Sequence, residues 1–102
     1  MAEAPRTFDD EQVRQTLAEL PAWEGDQYHL VRTVTLAPDR VDAVLDEVHR
    51  IEDELDHHTQ IESRPTDDDE AVLTFKLWTH TVGGVTERDV DLAKRLDPVF
   101  GA

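Results

Sequence analysis

A chain of 102 residues is long enough for one domain and too short for two, and a domain of that size builds a small two-layer core. Its 24 acidic residues outnumber 10 basic ones, and the net charge of −14 repels nucleic-acid phosphates and anionic lipid heads alike. There is no cysteine, which excludes disulfides, thiolate chemistry and cysteine-ligated zinc, and no run of about 18 apolar residues that could span a membrane.

Residues 1–7 read as frayed. Met1-Ala2-Glu3-Ala4-Pro5 lacks the basic and apolar regions of an export signal, which points to the cytoplasm. Asp9, with Gln12 three residues on, caps a first helix whose face is Val13, Leu17 and Leu20; Pro21 stops it. Gly25-Asp26 marks a turn. Tyr28 to Leu36 then alternates as a half-buried strand, with Tyr28, Leu30, Val34 and Leu36 on one side. Arg32 interrupts that side, so the face is expected to lie open at its edge.

Pro38 begins a second helix, with Val41, Val44, Leu45, Val48, Ile51 and Leu55 as its apolar stripe and an acidic, solvated remainder. It runs into Asp56-His57-His58. Gln60 to Arg64 is a short strand, followed by an exposed acidic loop from Pro65 to Glu70. Ala71 to Thr79 is the clearest strand and forms a hairpin with the one before it.

His80 to Asp89 joins that strand to a last helix, Glu87 to about Leu96, with Pro98 beyond its end. Thr86 is the expected N-cap, Asp89 its N3 partner, and Val85 and Val90 a hydrophobic staple. Gly83 and Gly84 are expected to turn the backbone with positive φ. His80 then sits at a strand end beside free N–H groups of a helix N-terminus, a place that suits a polar or anionic ligand. The order α-β-α-β-β-α, without repeats, describes a single α+β domain over residues 1–102: an antiparallel sheet with helices on one face. The other face is left to solvent or to another subunit. The surface is acidic and has only two lysines, Lys76 and Lys94, a balance that suits a halophile because salt screens the self-repulsion.

Three of five histidines, His57, His58 and His80, lie at ends of elements that can meet at one edge of the sheet, with Asp89 alongside. Unperturbed imidazole titrates near pH 6.5, so such a cluster can give and take protons near neutrality. A carboxylate such as Asp89 can fix a histidine tautomer. Zinc held by three histidines and Asp89 is the competing reading. Adjacent histidines seldom point the same way, and no HExxH spacing occurs, so no metal is expected. His29, within a strand, and His49, within a helix, read as structural or surface residues.

Asp53-x-x-x-His57-His58, then Trp78-Thr79-His80, then Gly83-Gly84-Val85-Thr86-Glu87-Arg88-Asp89-x-x-x-Ala93 resembles the pterin-4a-carbinolamine dehydratase family. The resemblance covers most of the chain, from Trp23 through Leu30 and Arg32 to the last helix. It implies a four-stranded antiparallel sheet with helices on one face, assembled into dimers or tetramers. It implies elimination of water from 4a-hydroxytetrahydropterin to give the quinonoid dihydropterin, without metal or cofactor. Carried over residue by residue, His57 is the general acid, His58 binds and orients the pterin with Thr79, and His80 is a second acid/base. Asp89 orients His80 or the pterin. Some members also serve as dimerisation partners of a transcription factor, so a non-catalytic pterin-binding or protein-dimerisation module is the alternative. Two departures stand out. Thr59-Gln60-Ile61 replaces the family's proline, acid and aromatic after the histidine pair, and the stretch from His58 to His80 is longer, with the extra residues placed at Asp67-Asp68-Asp69.

Overall fold

The computed structural model describes residues 6–100; the export-signal reading of residues 1–5 lies outside them, as does the first part of the segment read as frayed. Helix α1 (Asp10–Glu19) starts at a complete capping box: Asp9 accepts from the Gln12 N–H at 2.8 Å, and the Gln12 side chain accepts from the Asp9 N–H at 3.0 Å. It ends at Leu20, one residue before Pro21.

Four strands follow: β1 (Glu24–Gly25), β2 (Leu30–Leu36), β3 (Gln60–Pro65) and β4 (Ala71–Leu77). They form one antiparallel sheet in the order β1-β2-β4-β3. The register sets Leu30 opposite Leu77, Arg32 opposite Phe75 and Val34 opposite Leu73. Strand alternation therefore gathers the large apolar side chains on one face and Thr33, Thr35, Thr74 and Lys76 on the other. Helices α2 (Pro38–Leu55) and α3 (Glu87–Leu96) cover the apolar face. Val44, Val48 and Ile51 of α2 and Leu92, Ala93 and Leu96 of α3 share one buried cluster with Leu30, Leu73, Phe75 and Leu77. On the outer side of α2, Arg50 bonds Glu47 and Glu54, and its guanidinium holds the Glu47 carboxyl below its usual range.

The α+β architecture is as expected, with three local differences. Strand β2 starts at Leu30 because Asp26 ties Tyr28 and His29 into a turn, accepting from their N–H groups at 2.8 and 3.1 Å; Tyr28 is left exposed. Strand β4 ends at Leu77, and Thr79 makes only an isolated bridge to Gly84. The two-residue β1 is too short to show any alternation in the sequence.

Arg32 does not open the sheet edge. Its guanidinium donates to Asp97 Oδ1 at 2.5 Å and lies 4.8 Å from the centre of the Phe100 ring. The same oxygen accepts from Trp23 Nε1–H at 2.6 Å. Asp97 and Phe100 belong to a 3-10 turn (Asp97–Phe100) that follows α3 directly. The 3-10 turn is thus folded back over Arg32, the cation on the core side of β2. Asp97→Ala strands two half-buried donors at once. The expected loss is about 1.5–3 kcal/mol, the range for hydrogen bonds to a charged group, read from urea or thermal unfolding. An unchanged transition would mean that water satisfies both donors.

Candidate functional site

The site grows from the β4–α3 junction. The Thr79 N–H donates to the Gly84 carbonyl at 2.9 Å, and the Thr79 carbonyl accepts from Gly83 at 2.9 Å and Val82 at 3.2 Å. Gly83 has φ +70°, which a side chain would disfavour. Gly84 does not share it, contrary to expectation. A Cβ there would stand 3.0 Å from the Gln27 carbonyl oxygen and 3.0 Å from Thr7 Cγ2, so its reason is close approach.

Thr86 caps α3 as predicted. Its Oγ1 accepts from the Arg88 N–H at 3.2 Å, and Asp89 Oδ2 accepts from the Thr86 N–H at 2.9 Å. The helix N-terminus expected to greet a ligand with free N–H groups is therefore partly occupied by its own cap. Asp89 has no solvent-exposed surface, so its carboxylate needs internal donors. Thr79 supplies one from Oγ1 at 2.9 Å, and the Thr86 hydroxyl lies 2.7 Å from Thr79 Oγ1. The proton order that satisfies all of them runs from the Thr86 hydroxyl to Thr79 and from Thr79 to Asp89.

The remaining donor comes from the end of α2. Asp56 takes a left-handed conformation at φ 50°, and the His57 N–H closes the helix by donating to the Glu52 carbonyl at 3.0 Å. The reversal buries His57 and sets its Nε2 2.5 Å from Asp89 Oδ1. A carboxylate against Nε2 fixes the proton on that nitrogen and leaves Nδ1 for other work. The histidine that Asp89 holds is His57 and not His80, which corrects one of the two orienting roles, for His80 or for the pterin, that the resemblance implied. Enclosed as it is, Asp89 can act on a ligand only through a neighbour.

The other two histidines stand on the open side. The His58 side chain is 80 % exposed. His80 is exposed too, but its ring stacks on Trp78 with centroids 4.2 Å apart and planes 13° apart; His29 meets the same indole edge-on at 4.8 Å. His57, His58, Thr79, His80 and Arg88 line one cleft of about 230 Å³. Larger depressions of about 630 and 400 Å³ run against the segment from Arg6 to Asp9 and contain no histidine. The expected convergence of the three histidines and Asp89 is therefore present, as one buried dyad and two open rings. Among the described residues, no three His, Cys, Asp or Glu side chains are grouped to hold a metal ion.

Sequence reasoning missed Glu52, Trp78 and Arg88 as individual contributors. For Glu52 a signal existed. It follows Val48 by four residues and precedes Leu55 by three, so it stands on the apolar stripe of α2. It is buried, accepts from the Thr59 N–H at 2.5 Å and pairs with His49 Nδ1 at 2.8 Å. His29 packs on Trp78 and His49 sits on the surface of α2, so neither lines the cleft.

Known proteins resemble this chain in sequence and in fold. The model of the family described as pterin 4 alpha carbinolamine dehydratase matches residues 6–99. A provisionally named pterin-4-alpha-carbinolamine dehydratase of Mycobacteroides abscessus is 36 % identical over 94 residues, covering 90 % of this chain and 94 % of its own. One from Nocardia farcinica, named the same way, is 36 % identical over 92 residues, 88 % and 90 % of the two chains. The crystal structure of a transcriptional coactivator/pterin dehydratase from Brucella melitensis superposes with a TM-score of 0.83 at 18 % identity. It covers 94 % of this chain and all of the other, and shows that the fold is shared. With a family match across nearly the whole length, and relatives above one-third identity over both chains, the protein belongs to the pterin 4 alpha carbinolamine dehydratase family.

Proposed function

We propose that the protein eliminates water from a 4a-hydroxytetrahydropterin to give the quinonoid dihydropterin, in the cytoplasm and without a cofactor. The observation that carries this reading is the buried His57–Asp89 pair bordering a cleft with two further imidazoles. The hydroxyl of a carbinolamine is a poor leaving group until it is protonated. His57, as the imidazolium with its Nε2–H donated to Asp89, gives its Nδ1 proton to that oxygen and is left neutral. The C–O bond breaks as the lone pair of the adjacent ring nitrogen forms the C=N bond, and His80 takes the proton from that nitrogen. Water leaves, and proton exchange with solvent resets the two rings. His58 binds and orients the ring system, and Thr79 keeps Asp89 in place.

The alternative is a non-catalytic pterin-binding or protein-dimerisation module. It draws on Thr59-Gln60-Ile61 beside the histidine pair and on the coactivator description of the Brucella melitensis protein. Retention of His57, His58, His80 and Asp89 together favours the enzyme, because an interaction module has no use for all four.

Assembly belongs to the same proposal. Among the described residues, the buried cluster places helices α2 and α3 on the opposite face from Thr33, Thr35, Thr74 and Lys76, and a homodimer or homotetramer would cover the face that these four carry. Bringing chains of −14 together multiplies like charge, so salt should strengthen the association. A salt-rich host is the setting in which that charge costs least. Sedimentation at molar salt is expected to give an oligomer; a monomer there would reject the assembly.

The deciding measurement for the chemistry is 4a-hydroxytetrahydropterin breakdown with and without protein. His57→Ala and His80→Ala should each lower turnover by about 10²- to 10⁴-fold with the fold retained. The double variant should be worse than either single one, without additivity. Asp89→Asn should lose turnover by a similar factor, because an amide cannot accept from His57, Thr79 and Thr86 as a carboxylate does. Normal turnover with a lowered melting point in His57→Ala would reduce this residue to a structural donor for the buried Asp89 carboxylate.

A further inference from the structure

Glu52 is a buried carboxylate that the proposed chemistry does not use. Its side chain is 4 % exposed, and no lysine or arginine pairs with it. Its partners are instead the histidine pair, the residue just after it, and His49 one turn before Glu52 itself. Oε2 accepts from the Thr59 N–H at 2.5 Å and lies 4.0 Å from His58 Nδ1. Oε1 faces His49 Nδ1 at 2.8 Å. The Glu52 carbonyl accepts from the His57 N–H at 3.0 Å. One residue thus grips the backbone on both sides of His58 and borders the His58 ring.

We propose that Glu52 is a positioning residue: its carboxylate clamps the Thr59 N–H and so sets where the open His58 ring is presented to the cleft. The inference rests on the pterin-dehydration reading, in which His58 orients the substrate. Without the clamp, an 80 % exposed side chain on a segment between α2 and β3 has little else to fix it. The chemistry of Thr59 fits. Its N–H is the bonded group, whereas its Oγ1 is buried with no hydrogen-bond partner among the described residues. The position therefore depends on a main-chain donor and gains nothing from the hydroxyl. A proline there would delete the donor. Glu52 Oε2 and the Thr59 N–H are in this way mutually dependent: each loses its hydrogen-bond partner when the other is removed, while removal of both leaves neither unpaired.

A mutant cycle tests this on the full chain. Glu52→Ala and Thr59→Pro should each lower the melting temperature by about 5–10 °C, and the double variant should recover most of the loss. Thr59→Val, which keeps the N–H, should melt like the parent or higher. Positioning is read separately, by steady-state dehydration and by titration with 7,8-dihydropterin. Glu52→Ala should raise KM and weaken dihydropterin binding by about tenfold, with kcat changed less than about threefold. Glu52→Gln, whose amide oxygen still accepts from Thr59, should restore both. If Thr59→Pro does not fold, the comparison of Glu52→Gln with Glu52→Ala carries the test. Melting losses that add in the double variant, or a Glu52→Ala protein with parental KM and dihydropterin affinity, would overturn the proposal. A parent protein that leaves 4a-hydroxytetrahydropterin untouched would instead overturn the dehydration reading, while the melting cycle still decides whether the clamp exists.

Discussion

The structure depends on one fully buried carboxylate. Asp89 sits in the first turn of α3 and has donors from three directions: the Thr86 main chain, the Thr79 hydroxyl and the His57 ring. Each donor belongs to a different part of the chain: the cap of α3, the bridge after β4, and the turn beyond α2. A carboxylate in that position without donors would cost several kcal/mol in desolvation. Its enclosure is therefore tenable only when all three segments are in place together. The same contact that closes the fold also defines the site, because it fixes which nitrogen of His57 is committed and which is left over.

This explains which parts were legible in the sequence. The capping box Thr86–Asp89 is local, and so are the Asp9–Gln12 box, the apolar stripe of α2 and the alternation of β4. Residues three or four apart report on one another whatever the tertiary structure does. The meeting of His57 with Asp89 spans 32 residues, and only the placement of both at element ends suggested it. Asp89 was expected to serve His80 or the pterin; the histidine it meets is His57, while His80, nearer in sequence, stacks on Trp78 at the exposed side. Arg32 was misread for the same kind of reason. A cation in an apolar row looks like an open edge until a carboxylate 65 residues downstream closes over it.

Glu52 is the instructive omission. The apolar pattern of α2 is strong enough that one acid within it reads as noise, and six neighbouring acids on the helix encourage that dismissal. The position decides otherwise. A carboxylate at core spacing near a helix C-terminus runs against the helix dipole and against burial, so it persists only with local donors. Those donors are the Thr59 main chain and the His49 ring, and neither could be named before the turn at Asp56 was known.

The two halves of the site are held by separate means, and this bears on the departures at 59–61. His57 is fixed from the α3 side, through Asp89 and behind it Thr79 and Thr86, all buried. His58 is bordered from the α2 side by Glu52, while Gln60 and Ile61 already belong to strand β3. A change in the chain after His58 therefore bears on the cleft through the placement of His58, without touching any hydrogen bond of the Asp89 network. His80 is independent of both, held by a stack on Trp78 that His29 backs from β2's end of the sheet. Proton transfer needs the rigid half, where a small displacement of His57 would break a short contact to a buried charge. On the proposed reading, recognition of the ligand's periphery falls to the other half, whose supports can vary while the reacting group stays where it is.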